Sequence, residues 1–201
     1  MPDGQPRTIS RPEFLHGGSD SDFRGFIYDF LIVSTRMESI RDRIGSLLPL
    51  SGFQYHVLSV ISELQQRGPV SVGLVAQTLH AGASYVTMES RKLERIGLVG
   101  RTVNPADKRG VLMELSPAGK EALNAIASRQ CQINDALFDG LSREDFAAFR
   151  HVIAKMVENT SKALELADDY SRQSSRESTG QQAVLSPRKV GSRSGTRAGI
   201  K

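Results

Sequence analysis

Between Ser84 and Arg109 the chain carries six basic side chains, Arg91, Lys92, Arg95, Arg101, Lys108 and Arg109, against three acidic ones, Glu89, Glu94 and Asp107. That is a local charge of +3, and Ser84, Tyr85, Thr87 and Met88 directly precede it. Such a set suits duplex nucleic acid. Guanidinium and ammonium groups neutralise phosphates, hydroxyls bond to several base edges, and a Met or a Tyr ring can meet a thymine methyl. Arg91 is the candidate for a guanine edge or a phosphate, Lys92 and Arg95 for phosphates, and Arg109 for a narrow minor groove. A charged helix face is more often simply solvated. What lifts this cluster above that reading is the order of the elements around it.

Other chemistries find little support. A single cysteine, Cys131, excludes an intrachain disulfide and a cysteine-based metal site. His16, His56, His80 and His151 stand far apart, with no metal-ligand spacing. There is no nucleophile motif and no glycine-rich phosphate loop after a strand. Asp168-Asp169 reads as a solvated helix end. The expectation is a protein that is not an enzyme and holds no metal or cofactor. No apolar run reaches the ~18 residues of a membrane helix, and Met1–Ser19 lacks the apolar stretch of a signal peptide. The expected location is the cytoplasm.

The formal charge of +4 over 201 residues is unevenly spread. Residues 170–201 hold seven basic side chains and one acidic one, which makes this tail +6 and leaves the rest at −2. The basic pI therefore belongs to the tail, and any argument for DNA rests on local charge and motif.

The elements that must position the cluster follow from periodicity. Residues 1–19 are rich in Pro and Gly and are expected as a flexible arm. From Asp20, Phe23, Phe26, Ile27, Phe30, Met37, Ile40 and Ile44 mark a long helix that ends before Pro49. Ser51 and Gln54 fit a capping box that opens a second helix. Ser71 caps a short one ending at His80, Ala81-Gly82-Ala83 makes a turn, and Ser84 is the expected cap of the next helix, which stops at Gly97. Leu98–Val103 and Val111–Leu115, joined by a polar turn, predict a β-hairpin. Helices are then expected from Pro117 to about Phe138 and from Ser142 to about 167, the second with Phe146, Phe149, Ile153, Met156, Thr160 and Ala163 on one face. The tail, 168–201, is expected to be disordered. The fold class is mainly α with a small β-hairpin wing. It divides into a DNA-binding lobe (50–116) and a helical dimerisation region (20–48 and 117–167) within one domain, 20–167.

Residues 70–120 resemble the MarR (multiple antibiotic resistance regulator) family. The resemblance is carried by Val75-Ala76 and Leu79, then Ser84, Val86-Thr87 and Leu93-Glu94. It continues through Gly97-Leu98-Val99, Asp107-Lys108-Arg109 at the wing tip, and Leu115-Ser-Pro-Ala-Gly-Lys120. It implies a winged helix-turn-helix homodimer that binds a pseudo-palindromic operator in double-stranded DNA, in many cases as a repressor released by a small aromatic or acyl effector. It also implies that Asp107 structures the wing by pairing with Arg101 or Arg109. Two departures stand out. Ala83 and Met88 replace residues that are often basic, and Glu89 and Ser90 put a polar gap into the inward stripe of Val86, Leu93 and Ile96.

An effector site would lie between the dimer helices and the DNA lobe, with Tyr28, Arg36, Tyr55 and His56 supplying aromatic surface and a cation for a carboxylate-bearing ligand. One alternative is a redox-responsive regulator acting through Cys131, although that residue lies near an apolar stripe and is expected to be buried. Another is a winged-helix interaction module whose tail binds nucleic acid without sequence preference.

Overall fold

The computed structural model describes residues 6–108 and 110–185, with side chains described through 175. The chain divides into two units after Leu137. Among the described residues no helix is long and apolar enough to cross a membrane, and no group of His, Cys, Asp and Glu is placed to hold a metal ion.

In the first unit the expected flexible arm is partly ordered, at least from residue 6. Pro12–Phe14 forms a 3-10 helix, and His16 and Ser19 make an isolated β-bridge. The cause is a buried carboxylate in need of donors. Asp20 is 3% exposed. It accepts bonds from the Thr8 amide (2.7 Å) and hydroxyl (2.8 Å), and Arg24 pairs with its other oxygen. These bonds, the Thr8 amide first, hold the Asp20 carboxyl below its ordinary pKa. Phe14 packs on Phe23, with ring centroids 5.8 Å apart.

Helix α1 (Ser21–Gly45) follows. Only its C-terminal end belongs to the core, through Ile44 and the adjacent Ile40. Phe26, Tyr28, Leu31, Ile32, Val33 and Met37 stay exposed. Helix α2 (Gly52–Leu64) opens on the expected capping box and crosses α1 closely. A Cβ at Gly52 would stand 2.8 Å from the Asp42 Cα, and one at Gly45 would stand 2.9 Å from the Ser51 carbonyl. Both positions therefore need glycine. Val57, Leu58 and Ile61 on α2 are fully buried, and each contributes about 1.5–3 kcal/mol by leaving water.

Strand β1 (Val70–Ser71) leads into α3 (Val72–Thr78), where the Ser71 hydroxyl accepts the Leu74 amide. His80 turns the chain with φ +48°, in the left-handed region. Helix α4 (Ala83–Arg95) is then capped by Gly82 without a side chain, two residues ahead of the Ser84 cap that the sequence predicts. Strands β2 (Val99–Val103) and β3 (Val111–Leu115) form the wing in an antiparallel sheet of order β1-β3-β2, with Arg101 opposite Met113. Helix α5 (Pro117–Leu137) buries Ile126, with Leu123 and Ile133 packed beside the core.

The second unit is dominated by α6 (Arg143–Leu185), which runs 43 residues. Ser142 and Asp145 cap its start reciprocally: the Asp145 amide donates to the Ser142 hydroxyl and the Ser142 amide to the Asp145 carboxylate, both at 3.0 Å. The expected change from helix to disordered tail at 168 does not occur there. From Tyr170 to Leu185 the chain has no proline and a single glycine. Arg172 also braces the helix by bonding the Asp168 carbonyl and pairing with Asp169. Residues 186–201, with most of the tail's basic side chains, lie outside the described residues.

Candidate nucleic-acid interface

The outward face of α4 follows a helical step through Ser84, Met88, Arg91 and Arg95, all exposed. Together with Thr87 and Glu94 these residues line an open depression of about 470 Å³. A second depression, of about 540 Å³, joins it at Thr87 and Arg91. It reaches the start of α3 (Ser71, Val72, Gly73) and the wing (Arg101, Asn104, Asp107, Gly110, Val111). Arg91 thus stands where the helix face meets the wing. Neither Arg91 nor Arg95 has a hydrogen-bond or ion-pair partner among the described residues, which leaves both free to meet phosphate or a base edge.

The inward face is polar where an apolar stripe is usual. Glu89 is 4% exposed and Ser90 is fully buried. The Gln54 amide of α2 donates to one Glu89 oxygen (2.9 Å), and Lys92 bonds the other (2.8 Å). Ser90 donates to the Thr87 carbonyl and accepts from the Arg101 guanidinium (2.8 Å). Arg101 also donates to the Thr87 carbonyl (3.2 Å) and faces Glu94 at 3.7 Å. The gap is a satisfied network that ties α4 to α2 on one side and to β2 on the other.

The geometry sorts the sequence candidates. Ser84, Met88, Arg91 and Arg95 are brought together with Thr87, whose hydroxyl turns back to the Ala83 carbonyl. Tyr85 is half exposed and lies with its ring 4.5 Å from that of Phe53, so α2 holds its other side. Lys92 is engaged by Glu89. Arg101 is largely withdrawn from the surface: its side chain is 7% exposed, because the buried Ser90 and the Thr87 carbonyl take its donors. Lys108 is exposed at the wing tip, and Arg109 lies outside the described residues. At the tip the Asn104 side-chain oxygen accepts the Ala106 amide, and the Asp107 carbonyl accepts the Gly110 amide.

This geometry has counterparts among known proteins. No protein-family model matches the chain. Over 101 residues, half of the chain, it is 25% identical to the HTH-type transcriptional repressor MdtR of Bacillus subtilis, and the match spans 65% of that relative's length. Its backbone is similar to that of S. aureus MepR in a MepR–DNA complex, with a TM-score of 0.57 and 24% identity, covering 66% of this chain and 96% of that one. It is also similar to the transcription regulator MarR of Oenococcus oeni, with a TM-score of 0.55 and 19% identity, covering 66% of this chain and 98% of that one. The chain has the MarR-type winged-helix fold.

The four expected effector residues differ in their placement. Tyr28 and Arg36 are exposed on α1, about 12 Å apart along the helix axis. Tyr55 is buried in the core. His56 lies half-buried, and burial first, then the nearby Arg41 cation, pushes its pKa down. Cys131, expected to be buried, is a free and exposed thiol on α5, because it falls beside the helix stripe that Ile126 and Ile133 turn inward. The pair Glu89 and Ser90 stands out in the sequence as a polar gap, but its partners do not. Two polar residues on an inward face call for partners, and Gln54 and Arg101 are those partners.

Proposed function

We propose that the protein is a homodimeric, sequence-specific DNA-binding transcriptional regulator of the cytoplasm, acting as a repressor. The observation that carries this reading is the free outward face of α4. An unpaired Arg91 sits there between base-reading side chains and the wing, on a helix whose other face is fully engaged. Such a helix fits a major groove, with Ser84, Tyr85, Thr87 and Met88 toward base edges, Arg95 toward phosphate, and Lys108 and Arg109 of the wing toward the adjacent minor groove. The repressor role is supported by the similarity to MdtR. A homodimer is supported by the exposed apolar side chains of α1, and separately by those of α6, Phe146, Phe149, Val152 and Val157 among them, which a second copy would cover. A small aromatic or acyl effector would then bind where the copies meet, since its candidates Tyr28 and Arg36 are exposed on α1.

The test is enrichment from a random duplex library over a salt series, with wild type beside Arg91→Ala. A pseudo-palindromic site bound by wild type and weakened by the substitution is the expected result. Binding that is uniform across sequences and governed by salt alone overturns the reading and favours an interaction module with a basic tether.

A further inference from the structure

The Gln54 side chain works at both ends. Its carbonyl oxygen accepts the Ser51 amide at 3.0 Å and closes the capping box of α2. Its amide nitrogen donates to Glu89 at 2.9 Å, across 35 residues of sequence, on the buried side of α4. The start of α2 is itself pinned, since Gly52 admits Asp42 of α1 at a distance no side chain would allow. One planar group therefore joins the α1–α2 crossing to the inward face of the helix that presents Arg91. Beside it, Phe53 lies against Tyr85, so two consecutive residues of α2 hold α4 one turn apart.

We infer that Gln54 is a positioning residue for DNA recognition, acting through Glu89 as a polar strut that fixes the orientation of α4. The inference rests on the reading of α4 as the DNA-contacting helix, and it assigns that helix's aim to a side chain that touches no DNA. Apolar contacts tolerate small rotations and slides, whereas a hydrogen bond weakens steeply with angle and distance. A buried carboxylate held from both sides therefore sets the helix more narrowly than Val86 and Leu93 alone.

Gln54→Glu is the informative variant. A glutamate at this position still closes a capping box, so α2 keeps its start, while a second carboxylate now faces Glu89. Combining it with Glu89→Gln reverses the polarity of the strut and restores a donor opposite an acceptor. Two readouts apply to the full chain. One is amide hydrogen exchange along α4 without DNA. The other is the ratio of affinities for the enriched duplex and a random duplex at fixed salt, with thermal unfolding run alongside. Gln54→Glu is expected to speed exchange in α4 but not in α5, and to lower the affinity ratio by about tenfold, with the salt dependence of random-duplex binding unchanged. The double variant recovers both. Unchanged α4 exchange in Gln54→Glu, or a loss that the double variant does not recover, overturns the strut. If wild type shows no preference between duplexes, the DNA-reading proposal fails, and the exchange comparison still decides the strut by itself.

Discussion

On the outward side of α4, Arg91 and Arg95 stand exposed with no partner in the described chain. On the inward side, a few ångströms of backbone away, Arg101 reaches in from β2, gives its guanidinium to Ser90 and the Thr87 carbonyl, and is all but withdrawn from solvent. The residue type is the same, yet the surroundings set opposite roles. A buried guanidinium must have its donors satisfied, and once they are it becomes part of the framework. An exposed one with no neighbour costs the fold nothing and stays available to a ligand. Arginine count along a sequence therefore overstates the interface, and satisfaction of donors is the better guide.

Removing each arginine in turn gives the largest effects and separates the two roles. In this buried seam Arg101→Met leaves the Ser90 oxygen without its donor and takes one of two side-chain donors from the Thr87 carbonyl, which keeps the Ser90 hydroxyl. Unfolding in urea is expected to show a loss of about 2–3 kcal/mol, with the salt dependence of DNA binding unchanged. A stability within experimental error of wild type would mean that the seam does not need its arginine. Arg91→Ala reverses the pattern. Affinity for the enriched duplex falls by roughly 10-fold or more, in line with about 1–3 kcal/mol for a base-edge contact. Stability stays within about 0.5 kcal/mol, as for an exposed site with no partner. If Arg91→Ala instead lowered stability and spared binding, the two faces would have been assigned the wrong way round.

The outward face was largely legible in the sequence and the inward one was not, for a physical reason. Ser84, Met88, Arg91 and Arg95 follow from helical spacing alone, and Ser51 with Gln54 and Ser71 with Leu74 follow from capping chemistry that acts within four residues. The partners of Glu89 and Ser90 lie 35 and 11 residues away. No local pattern selects Gln54 for one or turns Arg101 toward the other. The same limit explains Asp20: its anchor, Thr8, sits in a segment whose composition reads as a flexible arm. It also explains α6, where apolar residues fade near 168 but the helix continues on polar side chains to Leu185.

Neither face of α4 contains a histidine, so a third and smaller effect sharpens the contrast by locating pH dependence elsewhere. His56 is held below its usual pKa of ~6.5, first by burial and then by Arg41. The folded state thus favours the neutral ring, and the unfolded chain takes up the proton first as pH falls. Stability is expected to drop as pH is lowered from about 7 through ~6.5 and to level off below the folded pKa. In His56→Gln that part of the slope should disappear, while Arg91→Ala leaves it in place. A pH profile of urea midpoints for the three proteins checks this, and an unchanged slope in His56→Gln would assign the effect to another group.

The smallest effect concerns the turn that delivers α4 to the surface. His80 adopts φ +48°, where a Cβ is crowded and where asparagine, whose short side chain bonds locally, is better tolerated. The ring is exposed and so offers little packing in return. His80→Asn is expected to raise the unfolding free energy by about 0.5 kcal/mol, with no change in affinity for the enriched duplex, since the residue lies on neither face of α4. Urea unfolding and duplex titration of the one variant decide both halves. A gain in stability accompanied by a loss of affinity would show that the strained turn helps aim the helix, and the division between a framework face and a reading face would then have to extend back to the end of α3.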